Sequence, residues 1–552
     1  MAKLTRVRQS NVSGMYFYSI DEMKEATANH DDLCVVASFH KGSGKGGGEF
    51  IFKHNVSEGN NITSFDGIGG TWFRCMDSNI VSLYEAGYSD GEDAALYISG
   101  INKAGYDVAI SGQHTYTSTI DIDLSKGGLK GVGKVKLEDV GTEGYALHIY
   151  NSSSSYADRD WLNATNRVSG ISFTGTGKRA VAFGKTGSGD CSELMLDNCG
   201  FIGLKGIHFL DNSYRLLFLK CTISRSFINT VTFNSPVNSG EVIRFFHCWM
   251  VDNGGAVELN NGQFIFDGTS LPAGQKAGYS APEVQLKDNA TVVFTNGNIE
   301  FQPNQSFVAF VASGQSRLTI SNSTLLLASG YKAIPIIAND GAVVSLKDCS
   351  LPLYDMQVAS GAATRQLIGG NSKAIMSSGC YPRAGFIESK WNLGNIVSPH
   401  LNVVANPSAT NSAVAGWKQT SDGSGSPIWE PSSQVPNDQM FSKSFRAVAG
   451  AGLQTVMYQD IPVSEAGRYV QFGFWAKKVS GLLDAKLNFL TEEGSVKQYS
   501  YRVEEQDSWN FYAVIVPVPP NTRVARIEFT LNQGKPQEQS EALLHNIIFS
   551  PI

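Results

Sequence analysis

Between Lys178 and Leu351 short apolar strands alternate with polar turns at a fixed period. One strand recurs as Ala180–Phe183, Gly206–Phe209, Thr230–Phe233, Ala256–Leu259, Glu283–Leu286, Phe307–Phe310 and Ala333–Ile336. Its final residues are spaced by 26, 24, 26, 27, 24 and 26 positions. A second strand falls between them, ending in a small or thiol residue followed by an apolar one two places on. It is read as Leu196–Phe201, Leu219–Ile223, Phe246–Met250, Phe294–Ile299, Ile320–Leu325 and Leu346–Leu351. Strands at a period in the twenties, without a 3.6-residue rhythm, predict a β-solenoid. One coil is too thin to bury its own apolar face, so the coils must stack.

Alternate residues of such a strand point outward, and equivalent slots of successive coils form ladders. The first strand's outward slot reads Ala182, His208, Thr232, Glu258, Gln285, Ala309 and Pro335. The second reads Asp197, Lys220, His247, Asp267, Thr295, Ser321 and Lys347, with Phe246 expected in the core and Trp249 pointing out. Cys199, Cys221, Cys248 and Cys349 share one inner slot, as small apolar fillers do. With no CxxC pair the eight cysteines predict buried free thiols in a chain made in a reducing cytoplasm, and neither metal nor cofactor is expected.

Around the repeat the pattern changes. Ser19–Thr27 carries a helix start, with Ser19 as cap and Glu22 three residues on. The glycines of Gly42–Phe52 run into an alternating strand, so a phosphate-binding loop, which must open a helix, is not the reading. Winding is expected from Val108, through Thr119–Asp123, Val135–Leu137 and Tyr145–Tyr150, with Asn151–Trp161 as a polar loop. The solenoid fades between Pro352 and Trp391. Beyond Asn392, runs such as Tyr469–Ala476, Trp509–Val516 and Arg523–Leu531 alternate as the strands of an antiparallel sandwich do. The expected divisions are 1–80, a capping region 81–107, a β-solenoid 108–391 and a sandwich 392–552.

Only 17% of residues are charged, and 30 Phe, 20 Tyr and 57 Gly suit an all-β globular chain. A net charge of −6 excludes the basic face that a nucleic-acid binder shows. The polar, basic opening does not resemble a signal peptide, and no apolar run reaches the ~20 residues of a membrane span.

Lys45–Phe52 (KGGGEFIF) is followed by Gly69–Phe73 (GGTWF), then by Tyr84–Leu96 ahead of Tyr97–Ala104. These motifs, in this order before a solenoid, resemble bacteriophage tailspike depolymerases. The third motif departs from the family's phrase, keeping Asp90-Gly91 and Asp93. The resemblance implies a right-handed parallel β-helix of the pectate-lyase type, with Tyr97–Ala104 as a helix over its mouth. It also implies a homotrimer and a C-terminal jelly roll like a carbohydrate-binding module. The implied substrate is a bacterial capsular or O-antigen polysaccharide, met outside the host by a virion tail. Because the N-terminal part is short for a virion anchor, residues before about 40 are expected to dock to another tail protein.

Ionisable groups concentrate between Lys220 and Glu300, where a polymer would meet several coils at once. Glycoside hydrolysis needs two carboxyls roughly 5–9.5 Å apart, and strands stacked ~4.8 Å apart permit several such pairs. Glu258 leads the candidates, because its slot is elsewhere small or neutral; Asp267, Asp252, Glu300 and Glu283 follow. Trp249, Tyr279, Arg244, His247, Lys220 and His208 are the candidate substrate-binding residues, and the insert Ser270–Pro282 is long enough to wall a groove. A polysaccharide lyase would instead draw base and charge neutralisation from Lys220, Arg244, His247 and Tyr279. No GxSxG elbow supports an esterase. A non-catalytic receptor-binding spike is the rival from another class.

Overall fold

A computed structural model describes residues 14–152, 167–185, 191–210, 213–224, 227–230, 239–251, 257–273, 284–301, 310–327 and 335–351. It further describes short stretches between 367 and 436, then 443–463, 469–504, 507–534 and 537–551. Two compact units divide the chain after Thr269.

The first unit opens with a five-stranded sheet ordered Met15–Phe17, Leu33–Ser38, Gly46–His54, Gly70–Arg74, Ser64–Gly67. It buries Ile20, Met23, Cys34, Val36, Phe50, Phe52, Phe65 and Trp72. Helix α1, Ile20–Lys24, starts where expected, the Ser19 hydroxyl accepting from Glu22 N at 3.3 Å. The glycine run has a packing reason. A Cβ on Gly46 would lie 1.8 Å from Tyr84 O, and one on Gly47 2.3 Å from Val36 O. The buried Arg74 guanidinium donates to the carbonyls of Gly47 (2.7 Å), Gly46 (3.1 Å) and Glu85 (3.0 Å), clasping this sheet to the segment ahead of the solenoid.

Winding begins earlier than Val108, because Ile80–Ser82 already pairs with Asp107–Tyr116. Helix α2 spans Ala94–Lys103, three residues N-terminal to its expected start. Asp93 sets that start: its carboxylate accepts from Ala95 N, and it also takes Thr117 and Ser118, tying the helix to the first coils. The helix buries Ala94, Ala95, Ile98 and Ile101 over the solenoid end, as a cap must.

Each coil then supplies one strand to each of three parallel faces. In the first unit, face A contains Ile120–Asp123, Tyr145–Tyr150, Ala180–Phe183, Gly206–Phe209, Phe227–Thr230 and Val257–Leu259. Face B contains Met195–Asp197, Leu217–Leu219, Ile243–Phe246 and Gln263–Asp267. Face C contains Gly200–Ile202, Thr222–Ser224 and Trp249–Val251. In the second unit the same faces run through Val284–Leu286, Phe310–Ala312 and Ile336–Ala338 (A), Thr291–Thr295, Arg317–Ser321 and Val343–Lys347 (B), and Asn298–Phe301 and Thr324–Leu327 (C). Inward phenylalanines stack along the axis, Phe218 on Phe245 and Phe245 on Phe266, each at 4.7 Å. The winding persists to Ile396–Val397, paired with Ala374–Met376.

Faces B and C meet at a one-residue corner in the left-handed region: Asn198, Lys220, His247, Gly268, Asn296, Asn322 and Asp348 have φ between 45° and 59°. The next residue closes the corner by donating to the preceding coil. Cys199 donates to Val168 O (3.4 Å), Cys221 to Leu196 O (3.2 Å), Cys248 to Phe218 O (3.3 Å), Thr269 to Phe245 O (3.2 Å) and Cys349 to Ile320 O (3.3 Å). The thiol slot is therefore a hydrogen-bond donor position and not merely a filler. All eight cysteines are free, but Cys75 is exposed, against the expectation of uniform burial: it follows Gly70–Arg74, the last strand residue being Arg74.

Two registers differ from the sequence reading. In the coil expected at Thr230–Phe233 the strand is Phe227–Thr230, so Asn229 takes the rung assigned to Thr232. In the second unit Phe310 pairs with Val284 and Ala312 with Leu286, so Val311 and Ile337 replace Ala309 and Pro335 as outward residues. The second difference is a slip of two residues, which leaves every side chain on its expected face, so alternation alone cannot detect it, whereas the first is a slip of three and reverses the faces.

The second unit ends in two antiparallel five-stranded sheets. One is ordered Lys418–Ser421, Thr455–Pro462, Val524–Leu531, Leu483–Thr491, Gly494–Arg502. The other is ordered Glu430–Ser432, Ser444–Ala449, Ser540–Pro551, Tyr469–Ser480, Asn510–Pro517. Trp429, Phe445, Phe472, Phe474, Phe489 and Phe529 fill the core between them.

One buried charge pair holds the first coils. Arg179, 1% exposed, bonds the equally buried Asp139 (Nε to Oδ1 2.9 Å) and the carbonyls of Glu143 and Ser118. Removing the guanidinium alone strands the carboxylate, so Arg179→Leu is expected to lower unfolding free energy by about 3–5 kcal/mol. Chemical denaturation of the isolated protein checks this; a loss below about 1 kcal/mol would count against it.

Candidate functional site

Face A of the first unit gathers chemistry that its individual strands do not display. Its outward rungs run in register through Asp121, His148, Ala182, His208, Asn229 and Glu258. Each is set by alternation: His208 lies between buried Ile207 and Phe209, and Glu258 between buried Val257 and Leu259. Ala182 is the small rung between the two histidines, and the Tyr145 ring reaches His208 edge-on at 6.1 Å and His148 at 5.9 Å. The His148 ring is pinned between the Gly184 carbonyl (2.8 Å) and the Asp121 carboxylate (3.2 Å). Tyr150 lies 4.9 Å from the same ring, with the Lys185 ammonium 4.7 Å above its own.

Electrostatics keep much of this column uncharged. Burial, helped by the Lys205 ammonium, pushes the His208 imidazole down to about 4. Burial raises the Tyr145 phenol above its ordinary range, and raises Tyr150 with help from Asp123 and Asp121. At neutral pH these side chains are neutral hydrogen-bonding groups beside aromatic surface, a lining suited to hydroxyl-rich rings. Glu258, half-buried, stands two rungs from His208, about 10 Å at the usual spacing between strands.

The other anticipated residues lie elsewhere. Asp267, half-buried, ends the five-residue face B strand Gln263–Asp267 beside Phe246. Glu258 and Asp267 thus occupy different faces. Glu300, half-buried, is on face C of the second unit, between Pro272 and Leu326. Asp252, Glu283 and Tyr279 fall outside the described residues, as do most of the insert Ser270–Pro282 and of the loop Asn151–Trp161.

Trp249 is 55% exposed on face C, next to Thr222. Arg244 is exposed on face B. Phe246, expected in the core, is 38% exposed, while Phe245 is buried. Lys220 and His247 are exposed, but at left-handed corners rather than in the slot of Asp197, which Leu219 and Phe246 occupy instead. The corner accounts for both errors: it spends one residue on the turn, so aligning coils on it shifts the outward set by one. His247 covers Gly268 of the next coil, where a Cβ would meet its ring at 2.5 Å. Lys220 and His247 are the corner residues lacking the glycine, Asn or Asp that this φ favours, and such strain is concentrated at functional sites.

Among the sequence candidates, the structure brings His208 and Glu258 into one column. Tyr145, His148 and Asp121 were missed. Carrying the outward ladder two coils towards the N-terminus would have found His148 and Asp121, whereas Tyr145 precedes a bulge that hides it from alternation. Among the described residues no group of three or more His, Cys, Asp or Glu could hold a metal ion, and no helix is long and apolar enough to cross a membrane.

No family model matches the chain, and no curated protein does. Among solved structures, the enzymatically active domain of tailspike protein 4 of bacteriophage CBA120 is 45% identical, with a TM-score of 0.78. The match covers 98% of this chain and 77% of that one. The corresponding domain of tailspike protein 2 of the same phage is 13% identical, TM-score 0.46, covering 97% and 91%. The gp42 tailspike of Acinetobacter phage vb_AbaP_AS12 is 14% identical, TM-score 0.47, covering 93% and 96%.

The depressed His208 has a pH signature. Its folded-state value lies below the unfolded 6.5, so between pH 6.5 and about 4 the unfolded chain takes up a proton that the folded one refuses. Stability is lost as pH falls through that window. The melting temperature of wild type is expected to drop more between pH 6.5 and 4 than that of His208→Gln; parallel drops would contradict the burial argument.

Proposed function

The chain belongs to the bacteriophage tailspike proteins, and from that premise we propose that it is a depolymerase cleaving a bacterial surface polysaccharide by glycoside hydrolysis. The observation that carries this is the face A column, in which Glu258 shares an outward ladder with the neutral His208 and Tyr145. Elimination needs a base competent near neutrality. His208, held neutral to about pH 4, is a weak base, and a phenol raised by burial stays protonated. Glu258 is the carboxylate that shares this ladder with His208, and in this reading it takes the proton transfer or the attack on the anomeric carbon. The same reading pairs it with Asp252, six residues ahead of it in the sequence. One carboxylic acid protonates the glycosidic oxygen while the other carboxylate activates water or forms the glycosyl intermediate. His208 and Tyr145 position hydroxyls of the bound sugar.

The reading includes the homotrimer that the family resemblance implies and a virion location. It also includes attachment to another tail protein by the N-terminal sheet. Tyr16 of the edge strand pairs with Val35 of the next, and Tyr16, Tyr18, Leu33 and Val35 are each 39–59% exposed on or beside these two strands. Because Cys34 and Val36 of the same strand are core, substitution tests this better than deletion.

Glu258→Gln and Asp252→Asn are each expected to lower release of reducing ends by 10²–10⁴-fold with assembly unchanged. Retention of more than a tenth of the activity by Glu258→Gln would sink its role, and an ultraviolet-absorbing unsaturated product would indicate a lyase. Tyr16→Glu with Val35→Glu should abolish incorporation into virions and leave depolymerisation intact. Normal incorporation of that variant rules out docking by this edge.

A further inference from the structure

Face B of the second unit carries a groove that the proposed cleavage site does not use. It is a cavity of about 390 Å³ lined by Asn289, Thr291, Gln315, Arg317, Gly341 and Val343. That volume lies within the ~300–1,000 Å³ of ordinary ligand pockets. The lining follows the repeat. Thr291, Arg317 and Val343 are consecutive rungs of one ladder, and Asn289, Gln315 and Gly341 stand two residues ahead of them in the turn from face A. The groove therefore crosses three coils, about 10 Å of axis at ~4.8 Å per step.

Its chemistry is polar with one charge. Asn289, Gln315 and Arg317 are exposed, and Ala290, Ser316 and Ala342 between them are buried. No described carboxylate lies within ion-pair distance of the Arg317 guanidinium, so its donors face solvent. Gly341, at φ 94°, adds no side chain, which leaves the groove open beside Gln315. No aromatic ring lines it, so it does not hold sugar by stacking. Two amides, a hydroxyl and a planar cationic fork instead fit a ring bearing hydroxyls and a carboxylate, the guanidinium pairing the carboxylate through two parallel hydrogen bonds.

We propose that this groove is a second polysaccharide-binding site, specific for an acidic sugar unit of the polymer and holding the chain while another segment is cut. The proposal rests on the polysaccharide reading above. Polysaccharide purified from a strain that the protein binds is offered, native and carboxyl-reduced, to Glu258→Gln protein with and without Arg317→Ala. Release of reducing ends by wild type is followed in parallel.

Arg317→Ala is expected to weaken binding of native polymer about tenfold and binding of reduced polymer less than twofold. Asn289→Ala with Gln315→Ala should weaken both forms. In the active background Arg317→Ala should raise KM for the polymer and leave kcat unchanged. Equal affinity with and without Arg317, or an Arg317 effect that survives carboxyl reduction, overturns the acidic-sugar site. Absence of reducing ends from wild type, with the Arg317 effect present, overturns hydrolysis and leaves the groove standing.

Discussion

The left-handed corner between faces B and C is the constraint on which the solenoid depends. Turning the chain within a single residue requires a positive φ, which costs an L-residue energy unless it is Gly, Asn or Asp. It also leaves backbone carbonyls at the edge of each coil. The Cys or Thr that follows donates into the coil beneath, and Ser323 accepts there from Gly297 N, so turn and inter-coil hydrogen bond come as one unit. This unit aligns the strands of faces B and C from coil to coil and thereby the outward ladders.

Face A gathers the side chains of the candidate site. Its strands join the other faces through segments of unequal length, and its outward rungs vary from Ala182 to His208 to Glu258. Rigid strands fix where these groups sit. Burial of the column then keeps His208 and Tyr145 neutral at neutral pH.

Much of this is legible from sequence because one apolar strand at a period of 24–27 residues admits few structures. The repeat, its short apolar strands and the shared inner thiol slot follow from pattern alone, and the capped entrance from the family resemblance. What alternation cannot express was misread. A slip of two keeps every face, so Ala309 and Pro335 were read where Val311 and Ile337 stand. A one-residue corner shifts parity, so Phe246 was put inside and Lys220 and His247 in the wrong slot. Glu258 and His208 were found by lining up slots. Tyr145 became visible only through its ring's approach to His208, a contact between coils that no single strand's pattern records.

The repeat also has a kinetic side. Parallel sheets fold slowly when their strands lie far apart in sequence, because loop closure precedes any reward. Here each strand meets its neighbour one coil later, so every pairing closes a loop of similar, modest size. Growth can therefore proceed coil upon coil once one turn exists. The α2-capped end, cross-linked by Asp93 and by Arg179 with Asp139, is one place where such a first turn is held by its own side chains. In a chain built this way each coil is the template of its neighbours, and an error in one coil is met first by the coils stacked on it.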